Sequence, residues 1–253
     1  LLCPCLGEAG RLRLKASWAA ALLDALGVEI EADLRHAVPG ALLVANHISW
    51  IDIYVINAVL PAAFIAKADV RDWPLIGWLA ARHGTIFLRR NSRGHARTIH
   101  AAIAEVLARG RYVAVFPEGT TSAGRAVRHF HAALLQPALA AGRPVLPVAL
   151  SYWEPDGRRS LAPRYDGAIS LGQCMRSIIG RRRLIARLAT TPALGGAGAA
   201  RKQVAAAARA AIATAAGLPL ANSQSGTDDD LPDEWPSIAH PRHSPYRAPA
   251  DWA

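Results

Sequence analysis

Cysteine is scarce: Cys3, Cys5 and Cys174 are the only three in 253 residues. They make no disulfide framework. Cys3 and Cys5 flank Pro4, and no second pair completes a tetrahedral metal set. That usage fits a reducing compartment. No uncharged apolar run reaches the roughly 18 residues of a membrane-crossing helix, so no span is predicted. There is no Gly-x-Ser-x-Gly elbow to carry a serine nucleophile. Aromatic residues are 6% of the chain and do not recur along strands in the manner that stacks bases, which argues against a nucleic-acid partner. Acidic residues are also few, 19 against 29 Lys and Arg.

What is present fits one main domain with additions. The chain is 52% hydrophobic, enough for a sizeable core. Ala-rich stretches alternate with short β-branched runs, the pattern of an α/β protein. The formal charge of +10 is unevenly spread. Residues 222–253 hold six acidic residues (Asp228, Asp229, Asp230, Asp233, Glu234, Asp251) and two basic ones (Arg242, Arg247), a balance of −4 that leaves +14 on residues 1–221. Such a surface attracts an anionic partner, either nucleic acid or an anionic membrane.

Periodicity predicts a helix over 12–28, with Leu14, Trp18, Leu22, Leu23 and Leu26 near helical spacing and Arg11, Arg13 and Lys15 at its start. It is read either as lying on a bilayer surface or as packed on its own domain. Strands are predicted over 28–32, 41–45, 62–66, 85–88, 112–116, 145–150 and 184–188. Helices are predicted from Ser49, as N-cap, through Val59, and over 75–81, 94–109, 131–140, 172–180 and 199–216. The alternation implies a mostly parallel sheet with helices on both faces, preceded by the N-terminal helix. Beyond 220 the periodicity stops, and Pro232, Pro236, Pro241, Pro245 and Pro249 accompany the acidic run. This stretch reads as disordered or as an extended strap.

Ligands of parallel sheets bind at the carboxyl ends of the strands, and the polar residues collect there. Asn46, His47 and Asp52 follow the 41–45 strand; Arg89, Arg90 and Arg93 follow 85–88; Glu118, Gly119 and Thr120 follow 112–116. Five residues of continuous helix would turn His47 and Asp52 about 140° apart. His47 is therefore expected before the helix, with Asp52 in its first turn pointing back at the imidazole. A carboxylate there fixes the tautomer and supports the charge of a histidine that takes a proton. Alone, His47 reads as a loop histidine and Asp52 as a helix cap. The arginines suit a phosphate or carboxylate, or are a solvated strand end. Gly119 allows a tight turn, and an N–H beside it is placed to meet an oxyanion. Glu118 is expected to order a substrate group or pair with an arginine, unless it merely closes a turn. With no serine elbow and no cysteine near His47, direct attack by an acceptor fits better than a covalent intermediate.

These stretches resemble the glycerolipid acyltransferase family. Asn46-His47-Ile48-Ser49-Trp50-Ile51-Asp52 is similar to its His-x4-Asp motif, and Gly84-Thr85-Ile86-Phe87-Leu88-Arg89-Arg90 to its second motif, with Arg90 at the motif arginine. Phe116-Pro117-Glu118-Gly119-Thr120-Thr121-Ser122 resembles the third, and Val145-Leu146-Pro147-Val148 the fourth, a proline-containing strand near the acyl site. All four stand in the family's order. The resemblance implies His47 as general base with Asp52 its partner, and Arg90 and Glu118 at the acceptor's head group. It implies acyl-CoA or acyl carrier protein as donor, with no tightly bound cofactor and no metal. The chain then divides into a membrane-proximal helical segment (1–32), an acyltransferase domain (33–220) and the acidic tail (221–253).

The implied reaction acylates a lysolipid, 1-acylglycerol-3-phosphate or lyso-ornithine lipid. Two departures bear on the choice: Thr121 stands where many phosphatidate-forming members have arginine, and Arg89 where an acidic residue is common. The implied location is the cytoplasmic face of the inner membrane, held peripherally or by an anchor ahead of Leu1. Two rivals remain: a non-catalytic basic module on anionic membranes, and a hydrolase in which His47 activates water. Neither accounts for all four motifs.

Overall fold

The computed structural model describes residues 7–67, 86–88, 93–167, 169–196 and 198–221. The predicted helix over 75–81, the residues Arg89 and Arg90, and the tail lie outside them. Among the described residues the order is α1 (Glu8–Ala25), β1 (Val28–Asp33), β2 (Leu42–Ala45), α2 (Asp52–Val59), β3 (Ala62–Lys67), β4 (Ile86–Leu88), α3 (Arg93–Ala108), β5 (Tyr112–Val115), α4 (Gln136–Ala140), β6 (Val145–Trp153), α5 (Leu171–Ile179), β7 (Leu184–Thr190) and α6 (Arg201–Ala216).

The strands form one seven-stranded sheet in the order β1-β7-β6-β2-β5-β3-β4. β6, β2, β5, β3 and β4 are mutually parallel. β7 runs antiparallel to β6, and β1 parallel to β7, so this outer pair points the other way. The expected α/β architecture, a mostly parallel sheet covered on both faces, is the one observed.

The two-residue period of a strand divides the core. Leu43 and Ala45 of β2 join one buried cluster, with Leu146, Val148, Leu150 and Tyr152 of β6, under α1, α2 and α5. Leu42 and Val44 join the other, with Val113, Val115 and Val145, under α3, α4 and α6. β2 is buried along its whole length because both of its faces are covered.

Three predicted elements differ. The first helix starts earlier and ends at Ala25, and Gly27, at φ 71°, turns the chain into β1. It packs on its own domain, Ala19 and Leu23 buried against α2, and leaves Leu14 and Trp18 half-exposed. The stretch 131–140 is a 3₁₀ turn (Ala132–Leu135) running into the five-residue α4, with Pro137 in its first turn. Ser49 does not cap α2. The first residue of that helix, Asp52, instead reaches back to the N–H groups of Ile48 and Ser49, as the acidic half of a capping box does.

Candidate active site

β2 lies between β5 and β6, with Val44 opposite both Val115 and Pro147. The chain therefore leaves β2 at Asn46 beside the chain leaving β5 at Phe116. Asn46 prolongs the ladder with its side chain: Nδ2 donates to the Leu150 carbonyl at 3.0 Å and Oδ1 accepts from the Leu150 N–H at 2.8 Å. An amide can copy both halves of a peptide bond in this way. The exit from β2 is fixed before His47 is reached.

His47 sits ahead of α2, and Asp52 opens it. His47 Nδ1 and Asp52 Oδ2 are 2.8 Å apart. The same oxygen accepts the N–H of Ile48 at 2.7 Å and of Ser49 at 2.9 Å, while Oδ1 accepts the Tyr152 hydroxyl at 2.5 Å. Asp52 is fully buried, so its charge is carried by these donors rather than by water. Since Oδ2 only accepts, Nδ1 holds the proton and Nε2 is left as the basic nitrogen. No described residue bonds Nε2, and the His47 side chain is 17% exposed. The imidazole lies flat on Phe116, ring centres 3.9 Å apart at 6°. That face contact fixes the second rotational freedom of the ring. Burial, and then the Asp52 charge, push the Tyr152 hydroxyl well above its ordinary value, so it remains a donor.

Glu118 is only 5% exposed and faces inward. Its Oε1 accepts the His47 backbone N–H at 2.9 Å and its Oε2 the Arg128 N–H at 3.3 Å. Burial raises its carboxyl to about 8, against the two backbone donors and the Arg128 charge, which favour the ionised form. Among the described residues Glu118 makes this backbone clamp and no ion pair with an arginine side chain; the rim arginines Arg89 and Arg90 lie outside them. Ser122 completes the clamp from the other side, donating its N–H at 2.8 Å and its hydroxyl at 3.0 Å to the His47 carbonyl. Both peptide groups of His47 are thus held by the Phe116–Ser122 turn.

The turn depends on glycine at two points. Gly119 has φ 72°, and its own N–H closes the bend onto the Phe116 carbonyl at 3.1 Å. Gly124 has φ 69°, and a Cβ there would come within 3.2 Å of the Ile48 side chain. Thr120 stands beside Gly119 on the wall of a cavity of about 440 Å³ that also includes Thr121, Arg125 and Arg128.

The structure thus gathers His47, Asp52, Glu118, Gly119 and Thr120 at one rim. Arg93 opens α3, and β4 ends at Leu88 with its carboxyl end on the same side as those of β3 and β5. Pro147 is lower in the sheet, opposite Val44. Sequence reasoning missed Tyr152, Ser122 as a clamp and Phe116 as the stacking floor. The alternating buried face of β6 carries the signal for Tyr152: positions 146, 148 and 150 are apolar, and the next in phase bears a hydroxyl.

This fold and this histidine–carboxylate pair, ahead of a helix at the end of a central parallel strand, define an acyltransferase-type α/β domain. Residues 28–151 match the family model described as Acyltransferase. A 1-acyl-sn-glycerol-3-phosphate acyltransferase of Neisseria meningitidis is 40% identical over 168 residues, 66% of this chain and 65% of that protein. A lyso-ornithine lipid O-acyltransferase of Pseudomonas aeruginosa is 44% identical over 169 residues, again 66% and 65%. The crystal structure of the 1-acyl-sn-glycerophosphate acyltransferase of Thermotoga maritima shares the fold, with TM-score 0.56, 24% identity and 82% of each chain covered. The chain is similar to these glycerolipid acyltransferases, and it spans just under two thirds of the length of the curated relatives named here.

Proposed function

We propose that this protein transfers a fatty acyl group from acyl-CoA or acyl carrier protein to the free hydroxyl of a lysolipid, with 1-acylglycerol-3-phosphate as acceptor and phosphatidate as product. The observation that carries the reading is His47, its Nδ1 held by a buried carboxylate at 2.8 Å and its Nε2 left unbonded by any described residue. An acceptor hydroxyl is a weak nucleophile at neutral pH, so a placed base has to take its proton as the oxygen attacks the thioester carbonyl carbon. His47 Nε2 fills that role. The new C–O bond forms, the C–S bond breaks, and the imidazolium returns the proton to the departing thiolate. Asp52 steadies the imidazolium through the transition state.

A second acceptor, lyso-ornithine lipid, is favoured by Thr121 in the third motif and by the 44% identity to an enzyme named for it. Both acceptors present a hydroxyl near an oxyanion, so the chemistry at His47 is the same. The basic surface and the exposed Leu14 and Trp18 of α1 support work at an anionic membrane. No helix among the described residues is long and apolar enough to cross one.

The test is product mass from each acceptor with acyl-CoA and with acyl carrier protein donors. Folded His47→Ala should lose roughly 10²–10⁴-fold in kcat, the usual worth of a placed base. Near wild-type kcat in that variant, where chemistry limits the wild-type rate, would remove the general-base assignment. Free fatty acid as the sole product would replace the transferase by a hydrolase.

A further inference from the structure

Glu118, which the family resemblance assigns to the acceptor's head group, already has both oxygens engaged inside the protein. Thr121 is engaged as well, its hydroxyl donated to the Tyr165 carbonyl. Neither carries the positive charge that an anionic head group needs.

That charge stands in the adjoining cavity of about 440 Å³, formed by residues 120–123, 125, 126 and 128 with the loop at Asp166 and Gly167. Its volume is within the range of small-molecule sites. It opens beside the dyad, because Ser122 on its wall is the residue that holds the His47 carbonyl. Arg125 and Arg128 line it, both are exposed, and neither is in an ion pair among the described residues. The carboxylate on the same wall, Asp166, is taken up by Arg164 at 3.0 Å. The backbone carrying Arg128 is pinned: its N–H is held by Glu118 and its carbonyl by Arg209 Nε at 2.8 Å. The fork thus projects from a fixed point. The oxyanion of a lysolipid head group is only a few bonds from the free hydroxyl, whereas the phosphates of acyl-CoA lie a whole pantetheine arm from the thioester. A cavity adjoining His47 suits the short reach.

We infer that Arg125 and Arg128 form an oxyanion site that grips the acceptor's anionic head group and so selects charged over uncharged lysolipids. The inference rests on the acyl-transfer reading for its ligand, and for its place on the cavity and on two guanidiniums that enter no ion pair among the described residues. These two arginines supply the positive charge that Thr121 does not.

The experiment has a binding arm and a kinetic arm on the full chain. Glycerol 3-phosphate, titrated calorimetrically, should bind wild type and His47→Ala alike. Binding should be lost in Arg125→Ala/Arg128→Ala, whose exposed side chains make the fold insensitive to the change. In the kinetic arm the double variant should raise KM for lysophosphatidate by about 10–100-fold, the scale of one or two lost charged hydrogen bonds. KM for acyl-CoA should stay in place, and the preference for lysophosphatidate over monoacylglycerol should collapse. Arg125→Lys/Arg128→Lys should recover part of the affinity, since it keeps the charge and loses the fork. An unaltered preference, or glycerol 3-phosphate bound equally by the double variant, overturns the site. A rise in the acyl-CoA KM instead gives the cavity to the donor's phosphates and overturns it too. Arginine-dependent glycerol 3-phosphate binding in a wild type that transfers no acyl group leaves the anion site standing and removes the functional reading alone.

Discussion

Tyr152, 100 residues downstream of Asp52, donates its hydroxyl to Asp52 Oδ1 at 2.5 Å. β6 runs on past the end of β2, and this extra length lifts Tyr152 above the rim on the face that α2 covers. The carboxylate is thereby divided: one oxygen serves the imidazole and two backbone N–H groups, the other serves the phenol. Asp52 is held against rotation from both ends.

Tyr152→Phe removes that one donor and leaves the ring. A buried acceptor loses its partner, which costs about 1–3 kcal/mol of stability. If Tyr152 positions Asp52, kcat falls by about tenfold, equivalent to ~1.4 kcal/mol in the barrier, and KM for the acceptor hardly moves. A purely structural tyrosine would lower the melting temperature and leave kcat in place.

Lys15 ties α1 to β3 by donating Nζ to the Ala62 carbonyl. Burial, helped by the Arg111 charge, lowers its ammonium from 10.5 to about 7. The folded value lies below the unfolded one, so between about 7 and 10.5 the unfolded chain binds more protons and stability rises with pH. Lys15→Met keeps the apolar stem and removes the titration. The variant's melting temperature should exceed that of wild type most below pH 7, with the gap narrowing as pH rises toward 10. Two parallel curves would show that Lys15 remains solvated.

Leu14 and Trp18, one turn apart on α1, are 45% and 39% exposed, and Arg11 and Arg13 precede them. Trp18 also meets Tyr54 of α2 edge-on, ring centres 5.7 Å apart, so a surface holding this helix would hold the domain close to α2 and Asp52. Sedimentation with vesicles should show binding that needs anionic lipid, weakens with salt and drops in Leu14→Ser/Trp18→Ser. Equal binding to neutral and anionic vesicles would exclude the electrostatic part.

Much of this architecture was legible because it rests on local pattern. The run 41–45 reads as a strand buried on both sides, and the 140° argument separates His47 from a helix that begins with Asp52. The reversed pair β1 and β7 was not legible, since the sense of a strand depends on where the chain re-enters the sheet and not on the strand's own residues. Ser49 carried a capping signal, but only the reciprocal half of that box forms: Asp52 accepts the N–H groups of Ile48 and Ser49, while the Ser49 hydroxyl caps nothing. Tyr152 and Ser122 act on partners 100 and 75 residues away, where no spacing rule reaches.

Glu118 shows the difference between a motif and its geometry. Its sequence context suggests a group for the acceptor, yet its two oxygens join the backbone of His47 to that of Arg128. Glu118→Gln tests which role it plays. An amide offers one accepting oxygen, so one of the two N–H groups would face an NH2 instead. Should the clamp be its task, His47 loses its fixed place, kcat falls by about tenfold or more, and KM for the acceptor changes little, because misplacing a base costs mainly in the transition state. Stability gives an independent reading. Burial lifts the folded carboxyl from 4.5 to about 8. The folded chain therefore binds more protons across that window, and wild-type stability declines as pH rises through it. The Gln variant lacks this titration, so its melting temperature should fall less than that of wild type between pH 5 and 8. A variant with intact kcat, a raised acceptor KM and an unchanged pH dependence would return Glu118 to direct contact with the head group.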